Sequence, residues 1–129
     1  MRFYIYIYKA VLAFALSATL FSAAQAENIL IMFEDEGCPY CEMWKQQIGP
    51  IYPKTAEAQI APLMMLDIDA PLPAGITIES APIYTPTFVL IHDGQEVTRL
   101  LGYPGEDFFW GLLDRMLTKL PEQDTEGSS

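Results

Sequence analysis

Gly37-Cys38-Pro39-Tyr40-Cys41 holds both cysteines of a 129-residue chain, and it lies where an apolar run gives way to helical spacing. Two thiols at i and i+3 at the start of a helix are one turn apart, close enough to form either a dithiol or a disulfide without moving the backbone far. The two positions are chemically unequal. Cys38 falls at the N-cap or first turn, where unpaired N–H groups and the helix dipole stabilise a thiolate. Cys41 falls in line with Trp44, Ile48 and Ile51 on the apolar stripe of the same helix. Cys38 is therefore read as the nucleophile and Cys41 as the resolving thiol. In such an exchange Cys38 attacks a substrate disulfide, and Cys41 then attacks Cys38 to release the reduced substrate and close the internal bridge. Run backwards, the same steps oxidise a substrate.

Reading outward, Asn28 to Glu34 is a compact apolar run without Gly or Pro, as expected of a central strand that points at the cysteines. From Pro39, well placed in a first turn, the pattern predicts a helix with Cys41, Trp44 and Ile48 inward and Glu42, Lys45 and Gln46 outward. Gly49-Pro50 ends or kinks it. A weak helical stretch follows around Thr55 to Ile60, and Leu63 to Ile68 reads as a second buried strand. Ala70 to Tyr84 holds prolines at 71, 73 and 82, which points to a loop with one helical turn at most. Pro86 to Ile91 reads as a third strand, Asp93-Gly94 as a tight hairpin turn and Glu96 to Leu101 as a fourth strand. Gly102 and Gly105 bracket a turn. A last helix opens at Glu106-Asp107, with Phe108, Phe109, Leu112, Leu113, Met116, Leu117 and Leu120 as a wide apolar face, and Pro121 stops it. One parallel crossover and one hairpin predict an α/β fold, a four-stranded mixed sheet in the order 2-1-3-4 flanked by helices. The dithiol then projects from the carboxyl end of a central strand, the usual place for a site in an open α/β sheet.

The start of the chain reads as a targeting segment. Arg2 and Lys9 flank an aromatic opening, Ala10 to Phe21 is apolar without charge, and Ala24-Gln25-Ala26 offers small residues around a cleavage point. Residues 1–26 are expected to be a secretory signal, 27–121 the folded domain, and 122–129 a disordered polar tail. The alternative is an uncleaved membrane anchor, for which the apolar run is short. Cleavage leaves five basic against seventeen acidic residues, a formal charge of −12. So acidic a surface argues against nucleic acid and anionic lipid as partners and favours basic or locally positive protein surfaces.

Other uses of the conspicuous residues carry less. A bridge between cysteines three apart closes too small a loop to constrain the unfolded chain, so it is a poor structural staple. His92 precedes the hairpin turn, far along its strand from Pro86, and is read as structural; no metal site is expected. Met32, Met43, Met64, Met65 and Met116 are read as core filling and Trp44 and Trp110 as core anchors. A non-redox alternative is a soft-metal chaperone that binds copper through the Cys38 and Cys41 thiolates. A disulfide-forming oxidant is a second alternative, and it differs only in reduction potential.

The pattern of strand, Cys38-Pro39-Tyr40-Cys41, helix, then Tyr84-Thr85-Pro86-Thr87-Phe88 before a hairpin, a glycine turn and a last helix resembles the thioredoxin superfamily. More narrowly, the Cys38-to-Cys41 tetrad with Trp44, G-P-I-Y-P-K-T at 49–55, T-P-T-F-V-L at 85–90 and G-Y-P-G-E-D-F-F-W-G-L-L at 102–113 resemble the periplasmic thioredoxins encoded with bacterial sulfur-oxidation genes. The resemblance implies a periplasmic thiol–disulfide reductase. Its partner would be the sulfur-carrier protein of thiosulfate oxidation and its electron donor a membrane thiol transporter; no cofactor beyond the Cys38–Cys41 disulfide is expected, and the chain would be a monomer. It also implies that Pro86 is cis beside the sulfurs, that the Thr85 backbone pairs with the substrate chain, and that Pro39 and Tyr40 contact substrate.

The chain departs from that family at two places. Ordinary thioredoxins carry a tryptophan before the first cysteine and a buried aspartate on the preceding strand, where this chain has Gly37 and Met32. A different proton acceptor is needed, with Glu34, Asp35 and Glu36 as candidates, although a run of loop acids is more often only solvated. Negative charge there also opposes the helix effect on Cys38. A less stabilised thiolate makes the reduced dithiol a better electron donor, which agrees with a reductant.

Overall fold

The computed structural model describes residues 27–122. The expected signal at 1–26 and all of the expected tail but Glu122 lie outside the described residues. Strand β1 (Asn28–Glu34) leads through a short turn into helix α1 (Pro39–Gln47). A 3-10 turn (Tyr52–Lys54) and a five-residue helix α2 (Ala56–Ile60) return the chain to strand β2 (Leu63–Asp67). A long connection then reaches the hairpin of β3 (Thr87–His92) and β4 (Gln95–Leu101), and helix α3 (Glu106–Leu117) closes the fold. The sheet order is β2-β1-β3-β4, with β1 parallel to β2 and antiparallel to β3, as the strand pattern predicted.

Period-two alternation in β1 and β3 divides the apolar side chains between two cores. Leu30, Met32, Phe88 and Leu90 face α1 and α3, where they meet Cys41, Trp44, Ile48, Tyr52, Phe109, Leu113 and Met116. Trp44 is the centre of this side: wholly buried, it packs on Tyr52, Phe88 and Phe109 with ring centroids 6.3, 5.5 and 5.8 Å away. Truncating a buried aromatic of this kind costs about 3–5 kcal/mol. Tyr52 joins the same layer. Its hydroxyl donates to the Ala61 carbonyl at 2.7 Å, and burial pushes its phenol far above the ordinary value.

Ile31, Phe33, Val89 and Ile91 form the second core, which no helix covers among the described residues. Leu72, Ile76 and Ile78 of the β2–β3 connection cover it instead. That connection has no helical turn, and its prolines leave a chain that lies flat on the sheet. It is tied down at the hairpin by a Thr77–Gln95 bridge and by Arg99, which donates to Glu96 and to the Ser80 carbonyl. Gly94, at φ 80°, approaches the connection so closely that a Cβ there would run into the Gly75 carbonyl.

Three expectations need correction. β2 is not a buried strand: among the described residues it pairs with β1 alone, and its residues are half-buried or exposed because an edge strand is covered incompletely. Phe108 does not join the α3 core face; that face is narrower, with Phe109, Leu113 and Met116 buried and Phe108 exposed. Met43 and Met65 are exposed rather than core residues.

Candidate active site

Everything that places the two sulfurs is local. Gly37 takes φ 78°, a left-handed turn that favours glycine, and it turns the chain out of β1 into α1. Cys38 is the N-cap, in extended conformation, and Pro39 fills the first helical position, where its missing N–H removes no helix bond. Cys38 and Cys41 are joined by a disulfide with their Cα atoms 5.3 Å apart. The Cys41 amide donates to the Cys38 sulfur at 3.1 Å, so the sulfur takes the capping role that an Asp or Ser oxygen fills elsewhere. Cys38 is 8% exposed and Cys41 0%, so Cys38 is the one of the two cysteines with any exposure to solvent.

The acids beside the dithiol do not behave as one run. Glu34 ends β1 and forms an ion pair with Lys45, which also bonds Glu42 at 3.0 Å; those bonds, Glu34 first, hold the Lys45 ammonium above its ordinary value. Asp35 and Glu36 are exposed in the turn, where the Asp35 carbonyl accepts the Cys38 N–H at 3.3 Å. Met32 is wholly buried in the core that includes both cysteines.

Strand pairing brings the second segment to the same end of the sheet. Phe33 at the end of β1 pairs with Thr87 at the start of β3, so Thr85 and Pro86 lie just beyond, beside the turn that carries Cys38. The Thr85–Pro86 peptide bond is cis, and Pro86 is buried. Its carbonyl accepts the Gly102 N–H at 2.7 Å, and the Thr87 hydroxyl donates to the Tyr84 carbonyl at 2.6 Å. Among the described residues, no backbone hydrogen bond occupies the Thr85 N–H or carbonyl. Pro39 and Tyr40 are exposed on the other side, and Ile83 and Tyr84 are also exposed.

A feature the linear reading missed is an open cleft of about 530 Å³ lined by Tyr40, Met43, Leu101 and the turn Gly102 to Gly105. Tyr103 is 5% exposed, and its hydroxyl donates to Gln47 Oε1 at 2.6 Å, which ties this turn to α1. The sequence signal for the cleft was available in two pieces, a methionine off the inward stripe of α1 and a turn bracketed by two glycines. His92 stands apart from all of this. At the other end of β1 and β3, its Nδ1 lies 2.7 Å from Asn28 Oδ1, consistent with a structural role.

The arrangement can exchange disulfides: the less buried cysteine sits at a helix N-terminus, and its partner lies one turn inside. A family model described as a thioredoxin-like domain matches residues 17–117. The chain is similar to the crystal structure of the periplasmic thioredoxin SoxS from Paracoccus pantotrophus in its reduced form, with 46% identity over 72% of this chain and 98% of that one and a TM-score of 0.70. A thioredoxin from Malassezia sympodialis aligns over 70% of this chain and 78% of its own, at 20% identity and a TM-score of 0.48, too distant to bear on the argument. Among curated proteins none matches the chain.

Proposed function

The chain belongs to the thioredoxin-like family and is a thiol–disulfide oxidoreductase; from that premise we propose that it is a periplasmic reductant of a single class of partner, the sulfur-carrier protein of thiosulfate oxidation. In this reading residues 1–26 direct export and are removed, a membrane thiol transporter supplies electrons, and the domain works as a monomer. The similarity to a periplasmic thioredoxin supports the compartment, and the partner is inferred from the sequence resemblance alone. The direction of electron flow is part of the proposal.

The observation that carries the mechanism is the placement of Cys38 Sγ at the helix N-cap, within reach of the Cys41 amide and on the one of the two cysteines that is not fully buried. In the reduced protein a thiolate at that position is stabilised by the same N-terminal donors. Cys38 attacks one sulfur of the partner's disulfide; the S–S bond breaks, the leaving partner sulfur takes a proton, and a mixed disulfide forms. Cys41 then gives up its proton and attacks Cys38 Sγ. The mixed bond breaks, the second partner sulfur leaves as a thiol, and the Cys38–Cys41 bond closes. Two electrons and two protons pass from the dithiol to the partner. Thr85, with both backbone groups open, and exposed Pro39 and Tyr40 offer the adjoining contacts for the partner chain.

A trapping experiment tests these roles. Cys41→Ser lacks the resolving thiol and is expected to accumulate a mixed disulfide through Cys38, whereas Cys38→Ser is expected to form no adduct and to lose all exchange. Adducts on Cys41 in the Cys38→Ser protein, with none in Cys41→Ser, would reverse the assignment.

A further inference from the structure

Cys41 is wholly buried, so its thiol in the reduced protein is out of reach of bulk water, yet it must lose a proton before it can resolve the mixed disulfide. The strand beneath it offers one ionisable side chain. Glu34 is the only acid or base in β1, and it follows Met32 on the face that turns toward α1, where Met32 shares a core with Cys41. Lys45 lies one turn past Cys41 on α1, and its ammonium reaches back to Glu34. The carboxylate oxygen it meets, Oε2, is enclosed and has no other partner among the described residues. The pair therefore spans the space between the end of β1 and the first turns of α1, on the side of the inner cysteine.

The surrounding groups leave the acceptor's role to Glu34. From α1, Glu42 is exposed and bonds Lys45 at 3.0 Å. From β2, Asp67 stands in register with Glu34, but it is exposed and its Oδ1 accepts the Asp69 N–H at 2.8 Å. From β3, the register continued one step beyond Phe33 and Thr87 sets Pro86 opposite Glu34, which brings no charge. Asp35 and Glu36 are exposed in the turn. The two tyrosines of the same core have committed hydroxyls: Tyr52 donates to Ala61 and Tyr103 to Gln47, and burial pushes both phenols up. His92 is at the far end of the sheet.

We infer that Glu34, held by Lys45, is the proton acceptor for Cys41 in the resolving step. The inference rests on the exchange roles given above to the two cysteines. The Cys41 S–H bond breaks, and its proton passes to the Glu34 carboxylate. Neutral Glu34 no longer balances Lys45, whose ammonium then favours the new thiolate one turn away. The electron pair left on Cys41 Sγ forms the bond to Cys38 Sγ. The mixed S–S bond breaks, and the partner sulfur leaves with the bonding pair and takes a proton from water. Glu34 returns its own proton to water at the half-buried rim of the pair.

The two steps separate in the reaction of the reduced protein with excess dithiobis-nitrobenzoate. Attack by Cys38 releases the first thionitrobenzoate, and attack by Cys41 on the resulting mixed disulfide releases the second, at a rate independent of reagent concentration. With an internal acceptor the second phase is expected to be flat from about pH 6 to 8, above the carboxylate range and below that of the thiol. In Glu34→Gln it is expected to be about a hundredfold slower at about pH 6 and to rise about tenfold per pH unit as hydroxide replaces the acceptor, while the first phase changes by less than about threefold. Glu34→Asp keeps the carboxylate and should keep the flat profile. Lys45→Met leaves the acceptor unheld and should slow the second phase less than Glu34→Gln does. A second phase unchanged in Glu34→Gln, or one that already rises steeply with pH in the unmodified protein, overturns the inference. So does an equal fall of both phases in Glu34→Gln, which marks a structural role, or a larger loss in Lys45→Met. Release of only the first thionitrobenzoate by the unmodified protein would instead overturn the exchange roles on which the inference rests.

Discussion

Cys38 and Cys41 differ by one turn of helix, and that turn separates a cysteine that keeps a little exposure, 8%, from one that is wholly enclosed in the core with Trp44. Reduced protein treated with one equivalent of iodoacetamide should therefore be alkylated at Cys38, as read by peptide mass mapping; first labelling at Cys41 would contradict the order. Tyr103 makes a different kind of contribution. Its hydroxyl ties a surface turn to α1, so Tyr103→Phe should lower stability to urea by about 0.5–1.5 kcal/mol and leave Gln47 without its partner. The two thiols were legible in the sequence because the chemistry of a CxxC pair at a helix start is local. Tyr103 was not legible, since a tyrosine in a glycine turn acquires its role only from Gln47, which lies 56 positions away.

Elements whose apolar residues follow a period were readable, and those whose coverage depends on neighbours were not. β1, α1 and the β3–β4 hairpin fall within a residue or two of their expected bounds, because uninterrupted apolar runs and Asp93-Gly94 are strong local signals. β2 carries a similar apolar run but sits at the sheet edge, and strand order rather than composition decides its exposure. In the β2–β3 connection prolines erase the period, and the chain is held by tertiary ties instead. Two outcomes follow for those ties. Gly94→Ala should destabilise by more than about 1 kcal/mol in urea unfolding, because it adds both a left-handed alanine and a collision with Gly75. Glu96 is held below its ordinary carboxylate value, chiefly by its hydrogen bond from Arg99. Its contribution is present above the unfolded-state value and is lost as pH falls through the lower folded-state value. Thermal stability should therefore drop on acidification below about pH 4.5, and less steeply in Glu96→Gln; an equally steep drop in that variant would show that the Arg99 tie does not matter.

At the scale of the molecule, one end of the sheet gathers the dithiol, the Thr85–Pro86 segment and the cleft, while His92 and the hairpin turn lie at the other. The order β2-β1-β3-β4 produces this gathering, since it places β3 beside β1 and so brings Thr85–Pro86 to the edge that carries the dithiol. That order could be inferred from a crossover and a hairpin, so the position of the site was legible, but the cleft was not, because it needs side chains from α1 and from the end of β4 together. In the proposed function this end of the molecule is an electron donor to a protein partner. The equilibrium reduction potential of the Cys38–Cys41 pair, measured against glutathione or a reference thioredoxin, tests that claim most directly: a value near that of thioredoxin, about −270 mV, is predicted, and one near that of the oxidant DsbA, about −120 mV, would contradict it.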